Sequence, residues 1–131
     1  MNNVAEAFLF AGGVYNLGFV IFHLMFWRIF CWKKDLASLT FTNRQVMQIL
    51  NLCIIFVFLV IAYVSFFHVT ELLRTGLGTA MLIAFSLFWF LRAIEQIVFF
   101  GLRNRASLIL TIVFLLGTAI YLMPLLLDKP W

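Results

Sequence analysis

The apolar residues of this chain fall into four long runs, which short polar connectors separate. The pattern predicts membrane spans at residues 7–32, 46–67, 76–100 and 107–127. Each run approaches or exceeds the ~20 residues that a helix needs to cross a ~30 Å hydrocarbon layer. Because the connectors are short, neighbouring helices are expected to run antiparallel. We therefore predict an all-α membrane protein, with one domain of four transmembrane helices over residues 1–131 in an up-down antiparallel bundle.

Composition agrees with lipid as the solvent of this chain. Hydrophobic residues make up 66% of the sequence and charged residues 11%, whereas a soluble domain carries about 25% charged residues. The net charge of +4 lies mainly in two short connectors. It is therefore interpreted as a topology signal, and the expected surroundings are a lipid bilayer with no nucleic-acid partner.

Lysine and arginine residues concentrate in the first and third connectors. The first connector and its flanks carry Arg28, Lys33, Lys34 and Arg44, and the third carries Arg103 and Arg105. The second connector has only Arg74, and the C-terminus has only Lys129. The positive-inside rule places the first and third connectors in the cytoplasm, and both termini on the non-cytoplasmic side. The expected location is a bacterial inner (plasma) membrane.

Each predicted helix has one semi-polar face when its residues are placed at the 100° spacing of an α-helix. In lipid these faces are expected to turn inward, because neighbouring helices are the only partners for their hydrogen bonds. The polar members of these faces are Asn16 and His23, then Gln48, Asn51 and Ser65, then Arg92, Glu95 and Gln96, and finally Ser107, Thr111, Thr118 and Tyr121.

Arg92 and Glu95 are the most informative pair, because they lie inside an otherwise almost wholly apolar segment. Each would cost a few kcal/mol or more against lipid, so such residues face protein, water or each other. Counting depth from the inner helix ends at 1.5 Å per residue places polar groups of three helices in one layer. The predicted cluster in the cytoplasmic half consists of His23, Gln48, Asn51, Arg92, Glu95 and Gln96.

Two interpretations of this cluster stay open. In the structural interpretation, Arg92 and Glu95 neutralise each other as an i,i+3 pair, and Asn51 and His23 complete a network that sets the helix register. In the functional interpretation, the cluster forms a cytoplasm-facing pocket in which Arg92 anchors an anionic or polar head group. A proton or ion path is a third and weaker alternative.

Metal and cofactor chemistry find no support in the residue pattern. No catalytic set is evident, and no His, Cys, Asp or Glu residues have metal-ligand spacing. His23 and His68 belong to different depths, so a haem held by both within one chain is not expected. We expect no metal site and no cofactor, and the sequence favours a non-catalytic role.

Small residues recur at every fourth position near the start of the third predicted helix, at Gly76, Ala80 and Ala84. Rows of this kind let helices approach closely in membranes. The row is expected to serve packing within the bundle or contact with another chain. The expected partners are a second copy of the protein or a partner membrane subunit.

Three classes of function remain. The first is binding, either as an accessory subunit of a membrane complex or as a carrier of a lipophilic ligand. The second is an enzyme acting on a lipophilic substrate. The overall plan resembles the membrane-associated eicosanoid and glutathione enzymes in its four helices, outer termini, basic first connector and Asn51 in the second helix. That family pairs the asparagine with a glutamate three residues on, where this chain has Ile54.

The third class is a compact transporter. The size of the chain resembles that of the small multidrug-resistance exporters, which carry an essential glutamate inside their first helix. Here the first predicted helix has only Glu6, close to its outer end, and the sequence favours transport least.

Overall fold

The computed structural model describes residues 2–128, so Lys129 lies outside it. This part of the chain consists of helices joined by short turns and contains no strand. The long helices are α1 (Asn3–Leu24), α4 (Phe41–Phe67), α6 (Gly76–Phe100) and α7 (Arg105–Asp128); the short ones are α2 (Phe26–Ile29), α3 (Trp32–Asp35) and α5 (Val69–Arg74), with a 3-10 turn at Leu36–Ser38. The four long helices are long and apolar enough to cross a membrane. The prediction of an all-helical chain with four membrane-length helices is confirmed.

Helix α6 begins and ends where the sequence predicted, because both of its ends carry strong local signals. The Thr75 hydroxyl accepts a 2.9 Å hydrogen bond from the Gly78 amide and caps the N-terminus. Gly101 follows the helix with φ +68°, a conformation that glycine adopts without strain and that commonly ends helices. Helix α4 begins earlier than predicted, at Phe41, because the Thr40 hydroxyl caps it by accepting from the Asn43 amide.

The first helix is shorter than the predicted span, which extended to residue 32. Helix α1 ends at Leu24, and the chain then folds back through α2 and α3. His23 stacks on Phe26 with ring centroids 4.3 Å apart, and Phe26 packs edge-on against Trp32 at 5.6 Å. Cys31 turns the chain between α2 and α3 with φ 48°. Hydropathy does not reveal this fold-back, because the residues that form it are as apolar as a continuing span.

The second connector, which was expected to be a simple loop, contains α5. Leu72 and Leu73 of α5 are buried, and α5 packs on α6. A Cβ at Gly78 would overlap the backbone of Glu71 and Leu72. The absence of a side chain at Gly78 therefore allows α5 to lie directly against the start of α6.

The long helices pack in a chain of neighbours. Helix α1 packs against α4 and α7, and α6 packs mainly against α7. The Asn2 amide donates to Asp128 Oδ1 at 3.0 Å, and the Tyr15 hydroxyl donates to the Val113 carbonyl at 2.7 Å. The residue that contacts α7 has a higher number in the second of these bonds, whereas its partner has a lower one, so α1 and α7 are antiparallel. The two ends of the described chain therefore lie side by side.

An aromatic layer crosses the middle of the interior and takes one ring from each long helix: Phe19, Phe58, Trp89 and Phe114. Trp89 is fully buried at its centre. Its ring centroid lies 4.7 Å from that of Phe19, 5.4 Å from that of Phe58 and 6.0 Å from that of Phe114. The layer separates a terminal half, which contains the Asn2–Asp128 contact, from a basic half, which contains the first and third connectors.

Candidate functional site

Arg92 lies on α6 in the basic half, directly beside the aromatic layer. Its Nη2 donates to Gln96 Oε1 at 3.2 Å, and its Cζ lies 4.6 Å from the ring centroid of Phe114. Gln96 Nε2 in turn donates to Ser107 Oγ at 3.0 Å, and that hydroxyl donates to the Gly101 carbonyl at 2.6 Å. A hydrogen-bonded chain from the end of α6 to the start of α7 therefore holds the guanidinium over an aromatic ring.

The coordination of Arg92 is incomplete. A guanidinium has five N–H donors, yet within residues 2–128 only the bond to Gln96 meets hydrogen-bond geometry. Glu95 Oε2 is 3.8 Å from Arg92 Nη1, longer than the ~2.7–2.9 Å of a charge-assisted hydrogen bond. The two side chains remain 35% and 57% exposed. The protein thus fixes the position of the Arg92 guanidinium but leaves most of its N–H donors without a hydrogen-bond partner among residues 2–128.

His23 and Asn51 lie at the contact of α1 with α4. Asn51 Nδ2 donates to the His23 carbonyl at 3.1 Å, and His23 Nδ1 lies 2.9 Å from the Phe19 carbonyl. Asn51 Oδ1 is buried and finds no partner in the part of the chain that the structure describes. His23 occupies the last turn of α1. These polar groups contact backbone, and across residues 2–128 no hydrogen bond joins them to Arg92.

Gln48 belongs to a different place. Its Nε2 donates to the Arg44 carbonyl at 3.2 Å, and its side chain lines a cavity of about 470 Å³ against the first connector. Hydrogen bonds, one ion pair and cavity contacts therefore link the six residues of the predicted cluster in three separate groups. These are the contact of His23 with Asn51, the group of Arg92, Glu95 and Gln96, and the connector cavity with Gln48.

The small-residue row of α6 faces away from the other helices. Gly76, Ala80 and Ala84 are all exposed, and a Cβ at Gly76 would meet no described atom within 4 Å. The close approach inside the chain occurs instead at Gly78. A contact of the row with a second copy or a partner subunit stays a prediction.

The terminal half contains a buried polar network that the depth argument did not select. Asn16 Nδ2 donates to the Gly12 carbonyl and to the Tyr121 hydroxyl, both at 2.8 Å, and Tyr121 and Ser65 share a 2.9 Å hydrogen bond. Asn16, Ser65 and Tyr121 are each fully buried. Their positions on three semi-polar faces were the available signal, and comparing the depths of neutral as well as charged residues would have found them.

The two histidines lie apart from each other and from any gathering of metal-ligand side chains in residues 2–128. No three His, Cys, Asp or Glu side chains of this region gather in a way that could hold an ion. His68 lies at the junction of α4 and α5, with Nδ1 3.8 Å from Glu71 Oε1, whereas the His23 ring lies 5.1 Å from that of Phe58 in the aromatic layer. Phe58 precedes His68 by ten residues, which is about 15 Å along a helix, so the two histidines lie at different depths.

Comparison with protein-family models, with curated proteins and with solved structures gives no significant match to this chain. The resemblance to the glutathione and eicosanoid enzymes remains one of overall plan. At the position three residues after Asn51, Ile54 packs against the hydrophobic core. The function is therefore argued from the geometry of the chain's own residues.

Proposed function

We propose that this protein is a small integral membrane protein that acts by binding, and that Arg92 anchors the anionic or polar head group of a lipophilic ligand. In this proposal the long helices form an up-down antiparallel bundle in a bacterial inner (plasma) membrane. The basic half faces the cytoplasm, and both termini lie on the opposite side. The incomplete coordination of Arg92 is the observation that carries the proposal.

The surroundings of Arg92 suit an oxyanion. A guanidinium binds carboxylate or phosphate through two parallel N–H bonds, which adds geometric specificity to charge attraction. Gln96 and the ring of Phe114 restrain the side chain from the protein side, so less rotational freedom is lost when a ligand binds. Glu95 lies beside the cation and favours head groups that also carry a positive charge or a hydrogen-bond donor.

The position of the aromatic layer supports entry of a ligand to Arg92 from the basic half only. Phe19, Phe58, Trp89 and Phe114 fill the interior next to Arg92 with packed rings, so a polar ligand reaches the guanidinium from the basic half. A polar path through the centre of one chain would have to pass these rings. The packing therefore supports binding over transport.

A subunit role is the second candidate, and it rests on the outer surface of α6. The Glu95 side chain is more than half exposed and lies on the same helix as the exposed row of Gly76, Ala80 and Ala84. A carboxylate in a membrane-spanning segment is stabilised when another chain or water covers it. A partner subunit or a second copy on this surface would do so.

The test compares Arg92→Gln, Glu95→Gln and the double variant by native mass spectrometry after gentle extraction from the native membrane. We expect the wild-type chain to carry a defined extra mass. Arg92→Gln should raise the Kd at least about tenfold and lower the fraction of chains that carry this mass, since charged hydrogen bonds contribute about 1.5–3 kcal/mol. The matched control is Arg74→Gln, which removes an exposed cation from the opposite end.

The alternative outcomes separate the two candidates. A larger hetero-complex without a small-molecule adduct supports the subunit role. If each single variant disrupts folding and the double variant recovers, Arg92 and Glu95 serve only each other, and the head-group proposal is wrong. Unchanged ligand content in Arg92→Gln also contradicts it.

A further inference from the structure

The first connector folds into a basic cavity that is separate from Arg92. The cavity has a volume of about 470 Å³, within the range of small-molecule sites. Its lining includes Trp27, Arg28, Trp32, Lys33, Arg44 and Gln48. Three cationic side chains thus line one open-sided space, and among residues 2–128 no carboxylate belongs to its lining.

The cavity is built by the fold of the connector. Arg44 on α4 donates from Nε to the Leu36 carbonyl at 2.8 Å, and from Nη2 to the Ala37 and Leu39 carbonyls at 3.1 and 3.2 Å. These bonds fasten the 3-10 turn to the first turn of α4. The rings of Trp27 and Trp32 pack edge to face at 5.1 Å and form a rigid wall.

Arg28 and Lys33 do not hold the connector in place as Arg44 does. Across residues 2–128 neither side chain donates a hydrogen bond to protein, and neither forms an ion pair with a carboxylate. Arg44, in contrast, is held by three carbonyls. The cavity therefore combines one cation that fixes its shape with two cations whose charges the described chain leaves uncompensated.

We infer that this cavity is a binding site for a phosphate group, of the kind carried by an anionic phospholipid head group at the membrane surface. Arg28 and Lys33 contact the phosphate, and Arg44 preserves the geometry. Tryptophans and cations occur together at the head-group level of membrane proteins, and the proposal places this cavity at that level, beyond the end of α1. Gln48 adds a neutral polar group to the wall.

The site does not depend on the proposed function of Arg92. Arg92 lies on α6 beside Phe114, whereas the cavity is formed by the connector and the start of α4. Arg92→Gln should therefore leave phosphate binding at the connector unchanged. Failure of one proposal can be distinguished from failure of the other.

The experiment titrates the delipidated full chain in a neutral detergent with short-chain phosphatidylglycerol, with a diacylglycerol of the same chain length, and with inorganic phosphate. Binding is followed by native mass spectrometry and by tryptophan fluorescence. For Arg28→Gln/Lys33→Gln we expect the Kd for phosphatidylglycerol to rise about 30-fold, since each cation near a head group contributes about a factor of five.

Two matched controls keep the result specific. Lys34→Gln changes the neighbouring lysine, which does not line the cavity. Arg103→Gln/Arg105→Gln removes the same charge from the third connector. Both should change the Kd by less than about threefold, because separated surface charges are screened by salt.

Each outcome decides the proposal. Displacement of the lipid by inorganic phosphate would identify the free ion as sufficient, and lipid binding that resists inorganic phosphate would identify the head group as the source. The proposal fails if Arg103→Gln/Arg105→Gln weakens binding as much as Arg28→Gln/Lys33→Gln. It also fails if the latter binds like wild type, or if the neutral diacylglycerol binds equally well.

Discussion

The two halves of the interior treat their polar residues differently. In the terminal half, Asn16, Ser65 and Tyr121 are fully buried and hydrogen-bonded across three helices. In the basic half, Arg92 and Glu95 remain partly exposed, and their charged atoms are 3.8 Å apart. The polar residues of the terminal half find almost all their hydrogen-bond partners within one chain, whereas those of the basic half do not.

This difference separates two uses of polarity inside an apolar protein. A buried group that finds its partners within the chain stabilises a particular packing of helices. A charged group that is held in place with unused donors is stabilised by water, by a ligand or by another chain. Exposure and hydrogen-bond completeness therefore distinguish the two groups better than charge alone.

The largest expected effect comes from removing the layer between the halves. Trp89→Ala should lower the free energy of unfolding by about 3–5 kcal/mol, because it deletes a buried ring that packs against five others. The measurement is SDS-induced unfolding in detergent micelles. Phe90→Ala, next in sequence but exposed, is the control, and equal losses in the two variants would show that the layer is not a packed core.

A smaller effect is expected from the terminal network. Tyr121→Phe removes the hydroxyl shared by Asn16 and Ser65, and should cost about 1–2 kcal/mol in the same unfolding assay. Tyr63→Phe is the matched control, because Tyr63 is exposed. If Tyr121→Phe matched this control, the network would contribute nothing and the contrast between the halves would disappear.

The smallest effect is expected at Glu95. Glu95→Gln should change the free energy of unfolding of the monomer by less than about 0.5 kcal/mol, because its carboxylate lies 3.8 Å from Arg92 and forms no hydrogen bond within residues 2–128. A loss above about 1 kcal/mol that depends on protein concentration would instead show that another copy of the chain buries this carboxylate.

Much of the fold was predictable because the relevant signals are local. Apolar runs of membrane length located the four long helices, and the structure shows that Thr75 and Gly101 lie at the two ends of α6. The end of α1 was not predictable in this way. It depends on the packing of Phe26 against His23 and Trp32, which hydropathy does not report.

The candidate site was predictable in its residue types and less so in its connections. Helix periodicity placed Arg92 and Gln96 on one face, and the structure joins them. The depth of His23 was counted from a helix end at Trp32, whereas α1 ends at Leu24, which moves that end by about 12 Å along the axis. Asn51 contacts the backbone carbonyl of His23. This contact depends on the direction of the Asn51 side chain, which helix periodicity does not predict.

The aromatic layer also has a consequence for proton movement. Protons cross a protein along continuous files of water and exchangeable groups. Of the four rings in the layer only that of Trp89 carries an exchangeable proton, on a buried Nε1 that finds no acceptor within residues 2–128. The four rings themselves therefore offer a proton no continuous relay between the two halves.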